Sequence, residues 1–573
     1  MKKKKWISLA LASMMLLGFA ACGDKKTTES SSFPEEEAPE YTFETVYTGG
    51  TEVHLAANES KTYNVNKDIT GRNYIRIQMK TNANMLGKFT YQDVKNAANV
   101  VEEEFFIEPS TEEIEFKQFL DSYRDNGVGL FDKKLISVTL KNLDAHSAAV
   151  TVFSIDAADR DVPEVDRELY IEQGELKVGA DLAMGGTLSY LERTAWYGEP
   201  IYEYVDWQNN VCIGMGVEES DMQVPVSSSV NLINIYDAGR EIQQSYYANV
   251  GGTKADNVDK VLAGDGEKAY SQDNKPDDYG SNGYDRRWSY TADQTTGYYW
   301  PYNPVQGGDE VCNLSQIIDY EVADNYIYVK VRAMDWANGN ARPEKNHPER
   351  EKYLKGRTTK SYIENWYTIK DNMLFVDNRF VDWNGFTDMD SIPVHSMEMP
   401  ATYVVHTLYE FVCYTGNNAW DLQDTNYYRN GACEGWWKSE TADIQNYHPE
   451  DWFAWVNEHD FGVGMYVPGV GGYVSGRNNT TRSIDEFHNR NAKESKMATQ
   501  YRYNKREAFT DYDSCYVGNT SYTAPVVNVK MKEYIPLSYS YVIAVDTLSE
   551  MRANFKEIHD SKTMLNEGLK AWD

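Results

Sequence analysis

The chain is poor in residues whose spacing alone announces chemistry. It has 6 cysteines in 573 residues, and no two form Cys-x-x-Cys. That absence excludes the common structural zinc sites. Besides Cys22 the thiols are Cys212, Cys312, Cys413, Cys433 and Cys515. An odd number across so long a chain is not a disulfide scaffold. Either a Cys413–Cys433 bridge or buried free thiols fits this spacing. Neither nucleotide-binding glycine pattern occurs, and His395 to Glu398 reads HxxE rather than HExxH, so no metal site is assigned. Positive charge is scarce as well. With 56 Lys and Arg against 88 Asp and Glu, the net charge is -32. This excludes a nucleic-acid partner and a basic membrane-binding face. Long helical runs and βα alternation are missing, which excludes a Rossmann fold or a TIM barrel.

Aromatic residues are abundant, at 13%, with 43 Tyr and 14 Trp. Such side chains bury area while keeping a polar handle. They suit β-rich proteins and clefts for sugars. At 573 residues the chain is long enough for two or three domains, each with its own core.

Residues 1–21 have the layout of a signal peptide: Lys2 to Lys5, an apolar stretch from Ile7 to Ala20, then Phe19-Ala20-Ala21-Cys22. The apolar stretch is too short for an ordinary membrane span. The segment resembles the signal peptide of bacterial lipoproteins. The resemblance implies cleavage before Cys22, lipidation of that thiol and an extracytoplasmic protein anchored through the lipid alone. Residues 22–40 follow as a polar tether with almost nothing to bury.

Residues 41–162 read as a β-sandwich or jelly-roll domain of short alternating strands, among them Asn73–Met79 and Leu135–Leu140. Asp159 to Pro163 reads as a boundary. Residues 163–573 continue in strands, with a helix expected over Leu548–Ile558, packed on the edge of the final sheet. Residues 407–445 read as an irregular insertion. The fold class is therefore all-β, with two β domains in series.

The densest polar stretch is Asn231–Tyr247, NLINIYDAGREIQQSYY. Asp237, Arg240, Gln243, Gln244 and Tyr247 supply a carboxylate, a guanidinium fork, amides and an aromatic face. This set suits a polyhydroxylated ligand. A polar core network around a tight turn is the structural alternative. The polar insertion over residues 251–297 leaves a structural calcium ion open, although DNVDKVLAGDGE lacks EF-hand spacing. No other cofactor is expected. Tyr298–Asp309 adds Trp300 and Asn303. Glu398 stands between two methionines, a setting that suits a general acid. Trp452–Tyr466 reads as a hairpin around Asn457-Glu458-His459-Asp460, with Glu458 as base or nucleophile and Asp237 as the alternative for either role. Arg240, Gln243, Gln244, Asn303 and His459 are candidates to contact sugar hydroxyls. Tyr247, Trp300 and Trp455 are candidates to stack on sugar rings.

Gly185-Gly186, the 231–247 stretch, YNPVQGGD and WVNEHDFGVGMY together resemble the galactose-mutarotase-like β-supersandwich of carbohydrate-active proteins. The resemblance implies a large antiparallel sandwich acting on a glycan. The expected activity is glycoside hydrolysis by two carboxylates. A non-catalytic glycan-binding lipoprotein is one competitor. A polysaccharide lyase is another, with Arg240, Arg286, Arg287 and Arg379 as a basic subsite.

Overall fold

The computed structural model describes residues 41–120, 132–160, 168–193, 201–204, 223–226, 231–233, 241–247, 304–308, 315–335, 358–381, 395–405, 408, 410–430, 450–457, 459–468, 481–483, 488–502, 520–531 and 536–561. The chain divides into two compact units between Val162 and Pro163.

The first unit is a β-sandwich. Its strands are β1 (Glu44–Thr48), β2 (Val53–Leu55), β3 (Ser60–Asp68), β4 (Tyr74–Thr81), β5 (Met85–Asp93), β6 (Val100–Ile107), β7 (Ser110–Phe119), β8 (Lys133–Asn142) and β9 (Ala148–Ala158). One sheet runs β1-β9-β4-β7, with β2 also on β9; the other runs β3-β8-β5-β6. Strand β4 shows the cause. Ile75, Ile77 and Met79 alternate inward and are fully buried, while Arg76 and Gln78 point outward. Each such aliphatic side chain contributes about 1.5–3 kcal/mol by leaving water. Phe89, Phe105 and Phe116 stack through the core at 4.2 and 4.6 Å between centroids. Gly87 leaves room for this stack, since a Cβ there would lie 2.1 Å from the Phe105 ring.

The second unit is a large antiparallel supersandwich. Its strands are β10 (Glu168–Gln173), β11 (Leu176–Asp181), β12 (Thr187–Arg193), β13 (Ile201–Tyr204), β14 (Gln223–Val226), β15 (Ile242–Tyr247), β16 (Pro304–Val305), β17 (Gln316–Ala323), β18 (Tyr326–Asp335), β19 (Thr358–Lys370), β20 (Met373–Val381), β21 (His395–Val405), β22 (Glu410–Tyr414), β23 (Tyr427–Asn430), β24 (Trp452–Val456), β25 (Phe461–Tyr466), β26 (Thr481–Ser483), β27 (His488–Arg502), β28 (Thr520–Met531) and β29 (Leu537–Thr547). Strands β22 and β23 fall inside the stretch expected to be irregular. They pair with each other, and β22 also pairs with β24. Cys413 of β22 is a buried free thiol.

Two layers face each other. One contains β18-β19-β20-β29-β25-β24-β22; the other contains β11-β12-β15-β21-β28. Side chains tie them together. Gln244 donates to Asn365 Oδ1 at 2.7 Å, Tyr367 donates to Gly186 O at 2.9 Å, and Thr402 donates to Met465 Sδ at 3.5 Å. Close approach requires glycine at 186, where φ is +65° and a Cβ would meet Val329 at 2.2 Å.

The single α-helix among the described residues, α1 (Leu548–Ser561), packs on a sheet face rather than on an edge. Leu548, Met551, Phe555 and Ile558 share one stripe and join Trp452, Tyr466, Phe375 and Val542 in one cluster. Arg552 pins the helix. Its guanidinium is 1% exposed and pairs with Glu450 at 2.6 Å. It also donates to the backbone oxygens of Asp424 and Asp421.

Candidate functional site

The residues expected to hold a ligand separate into three groups. Asp237, Arg240, Trp300, Asn303, Glu458 and Cys22, with Arg286 and Arg287, lie outside the described residues. So does the calcium candidate segment. Tyr247 is described only as the end of β15, in register with Ser396.

The second group lies inside the sandwich. Gln243 Oε1 accepts from Gly307 N at 2.8 Å. Gln244 Nε2 donates to Glu364 O at 3.1 Å and to Asn365 Oδ1. Gln306 joins them, accepting from Gln244 N and donating to Gly185 O. All three glutamines are at most 2% exposed. Their amides satisfy core backbone groups, which is the polar network around a turn. Glu398 pairs with Ser245 and Val526 across its strand and is 7% exposed. It lies beside Tyr539, whose hydroxyl is pushed well above its ordinary value by burial, then by the neighbouring Tyr367 and Glu398. Trp455 is 1% exposed and packs edge-on against Phe411. Its ring lies in the core, not at a surface where a sugar would stack. Glu241, overlooked in the sequence, is also fully buried, with φ at +59°.

The third group is the 457–460 turn. Asn457 Oδ1 accepts from the backbone N–H groups of His459 and Phe461. Asp460 pairs with Arg429, which also pairs with Glu410. These bonds account for Asn457 and Asp460 as turn residues. His459 is exposed.

A different constellation stands on the opposite face of β18, β19, β20 and β29. Cross-strand register puts Tyr328, Trp366, Asp377 and Ser540 in one row and Lys330, Glu364, Arg379 and Ser538 in the next. Alternate residues Ile363, Asn365, Asn378 and Tyr539 point into the core. Tyr328, Trp366, Asp377, Arg379 and Ser538 are half-buried and reach solvent, while Lys330, Glu364 and Ser540 are buried beneath them. At one end the same face passes beneath α1, through Phe375 and Val542.

Polar contacts fix the rows in place. Glu364 accepts from the Tyr328 hydroxyl at 2.7 Å and from Arg379 Nε at 2.5 Å. Burial alone would push its carboxyl up. The Arg379 and Lys330 charges, with hydrogen bonds from Arg379 and Tyr328, outweigh burial and hold it at about 2. Burial pushes Asp377 the other way, upward, against a hydrogen bond from Ser540. The Trp366 and Tyr328 rings lie 5.1 Å apart at 30°, and the Arg379 guanidinium sits 5.2 Å from the Trp366 centroid. Among the described residues no His, Cys, Asp and Glu group is arranged to hold a metal ion. The face offers an aromatic floor on β18 and β19 beside hydrogen-bonding groups on β20 and β29.

No family model matches the sequence. No curated protein matches it either. Among solved structures, a point mutant of a family 29 carbohydrate-binding module aligns with 21% of this chain and 94% of its own, at 11% identity and a TM-score of 0.16. Another mutant of that family, complexed with cellulohexaose, gives the same values. A glycosyl hydrolase family 38 protein from Enterococcus faecalis aligns with 91% of this chain and 46% of its own, at 8% identity and a TM-score of 0.27. At these scores the likenesses carry no argument about the site.

Proposed function

We propose that the protein binds a glycan on the face formed by β18, β19, β20 and β29. One observation carries this reading: the half-buried side chains of these rows put the Trp366 and Tyr328 rings beside Arg379, Asp377 and Ser538. A pyranose has an apolar ring face and an equatorial rim of hydroxyls. Trp366 and Tyr328 suit the ring face, while Arg379, Asp377 and Ser538 suit the rim. The charges within the rows largely offset one another: Lys330 and Arg379 stand beside Glu364 and Asp377, with Asp319 opposite Lys330 on β17. That balance favours a neutral glycan over a polyanion.

The test is a screen of plant, algal and host polysaccharides against the wild type and Trp366→Ala. A glycan retained by the wild type and released by the variant supports the reading. Equal retention of every glycan by both proteins defeats it.

We further propose that the protein lies outside the cytoplasm, anchored by a lipid on Cys22, a reading supported by the resemblance of residues 1–22 to a lipoprotein signal peptide. Mass spectrometry of the N-terminal peptide from native membranes tests this; an unmodified Cys22 thiol contradicts it.

A further inference from the structure

We propose that the row Glu321, Tyr328, Trp366 and Asp377 selects neutral sugars over uronates, with Asp377 as the residue that sets the preference. The proposal rests on the glycan reading of this face and names the class of glycan. Direct cross-strand pairing runs from Glu321 to Tyr328, from Tyr328 to Trp366 and from Trp366 to Asp377. The four side chains therefore share one side of the sheet. Two aromatic rings stand in the middle of the row, with a carboxylate at either end. Direct partners have Cβ atoms about 4.5–5.5 Å apart, so a sugar held at Trp366 lies within reach of Asp377.

This row contains no cation. The cations stand in the next row, where Lys330 lies between Asp319 and Glu364, and Arg379 is the direct partner of Glu364. Lys330 is buried, and Arg379 donates to Glu364 while lying against the Trp366 ring. Each positive group is thus matched by carboxylates of its own row. Asp377 is the charge left over. It accepts a hydrogen bond from Ser540, and among the described residues no Lys, Arg or His pairs with it. Burial without a cation accordingly raises its carboxyl above the ordinary range.

The ionised Asp377 side chain is an acceptor only. A sugar hydroxyl supplies the proton it needs, and the hydrogen bond is strengthened by the charge. A uronate carboxylate supplies no proton and brings a second negative charge to the same place, which is strongly unfavourable. Glu321, exposed at the far end of the row, adds a charge of the same sign. The preference is therefore a built repulsion as well as a contact. It also gives a use to a half-buried carboxylate that the fold alone would be more stable without.

Mixed-linkage β-glucan, glucomannan, galactomannan and amylose are each prepared in two forms, native and with the primary hydroxyls oxidised to carboxylates. Both forms are titrated against the full-chain wild type, Asp377→Asn, Glu321→Gln and Trp366→Ala near neutral pH. The wild type is expected to bind at least one native polymer through Trp366, and at least about tenfold tighter than its oxidised form. Asp377→Asn is expected to close most of that gap by gaining affinity for the oxidised form, and Glu321→Gln a smaller part of it. High salt should narrow the gap in the wild type and hardly move it in Asp377→Asn. A merely structural role would weaken both forms and would not produce a gain. The salt series on the wild type needs no variant, so the outcome does not depend on whether Asp377→Asn folds. Trp366-dependent binding with a gap that neither salt nor Asp377→Asn changes overturns this inference and leaves the glycan reading standing. Equal or tighter binding of the oxidised form by the wild type does the same. Absence of Trp366-dependent binding across these polymers and the polysaccharide screen removes the glycan reading, and this inference with it.

Discussion

Trp366 and Asp377 are direct cross-strand partners on β19 and β20, both half-buried on the outward side of the sheet. Burial raises the Asp377 carboxyl above its ordinary value of 3.8. A carboxyl raised by folding contributes most below its unfolded value, and that contribution is lost as pH rises through the folded value. The ionised side chain is thus a liability at neutral pH. Asp377→Asn is expected to raise the urea midpoint at pH 7 and to leave it unchanged well below pH 3.8. A lower midpoint for the variant at pH 7 contradicts this.

Glu364 has the opposite sign. Its carboxyl is lowered from 4.5 to about 2. Its contribution is present above 4.5 and is lost as pH falls through about 2. Glu364→Gln leaves Lys330 and Arg379 without their shared counter-charge, at a cost of about 3–5 kcal/mol at pH 7. The gap between wild type and variant, measured by urea unfolding, should narrow across that acid window. A constant gap would show that ionisation of Glu364 is not what stabilises the face.

Arg552 carries the docking of α1. Its partner Glu450 is fully buried and also accepts from Trp452 Nε1 at 2.5 Å. Arg552→Met leaves the Glu450 carboxylate buried without its cation, at about 3–5 kcal/mol. Hydrogen exchange should then rise first in residues 548–561. Unchanged protection there would assign the docking to the apolar stripe alone.

Much of the fold was legible because one face of each strand is apolar. The alternation in β4 and the helical stripe of Leu548, Met551, Phe555 and Ile558 follow directly from the sequence. Strands β22 and β23 escaped notice because each has at most five residues and they are separated by a long turn. Apart from Arg379, the polar rows were missed for another reason. On β19 and β20 the inward face also carries amides, at Asn365 and Asn378. Polarity alone therefore does not tell which face meets solvent. A usable signal was nevertheless present. Asp371 and Asn372, with φ of +53° and +56°, form the two-residue turn of a hairpin. That turn fixes Lys370 opposite Met373 and hence Glu364 opposite Arg379. The glutamines at 243 and 244 drew attention by composition, but their partners come from distant strands that no local pattern specifies.

The most direct test is the affinity of the protein for a polysaccharide it retains, measured by titration calorimetry with Trp366→Ala beside the wild type. Trp366 is half-buried on the outward face of β19, so the fold should survive its loss. The account predicts weakening of at least about tenfold, equivalent to about 1.4 kcal/mol, with an unchanged circular dichroism spectrum. Equal affinity in a folded variant would contradict the placement of the glycan on this face.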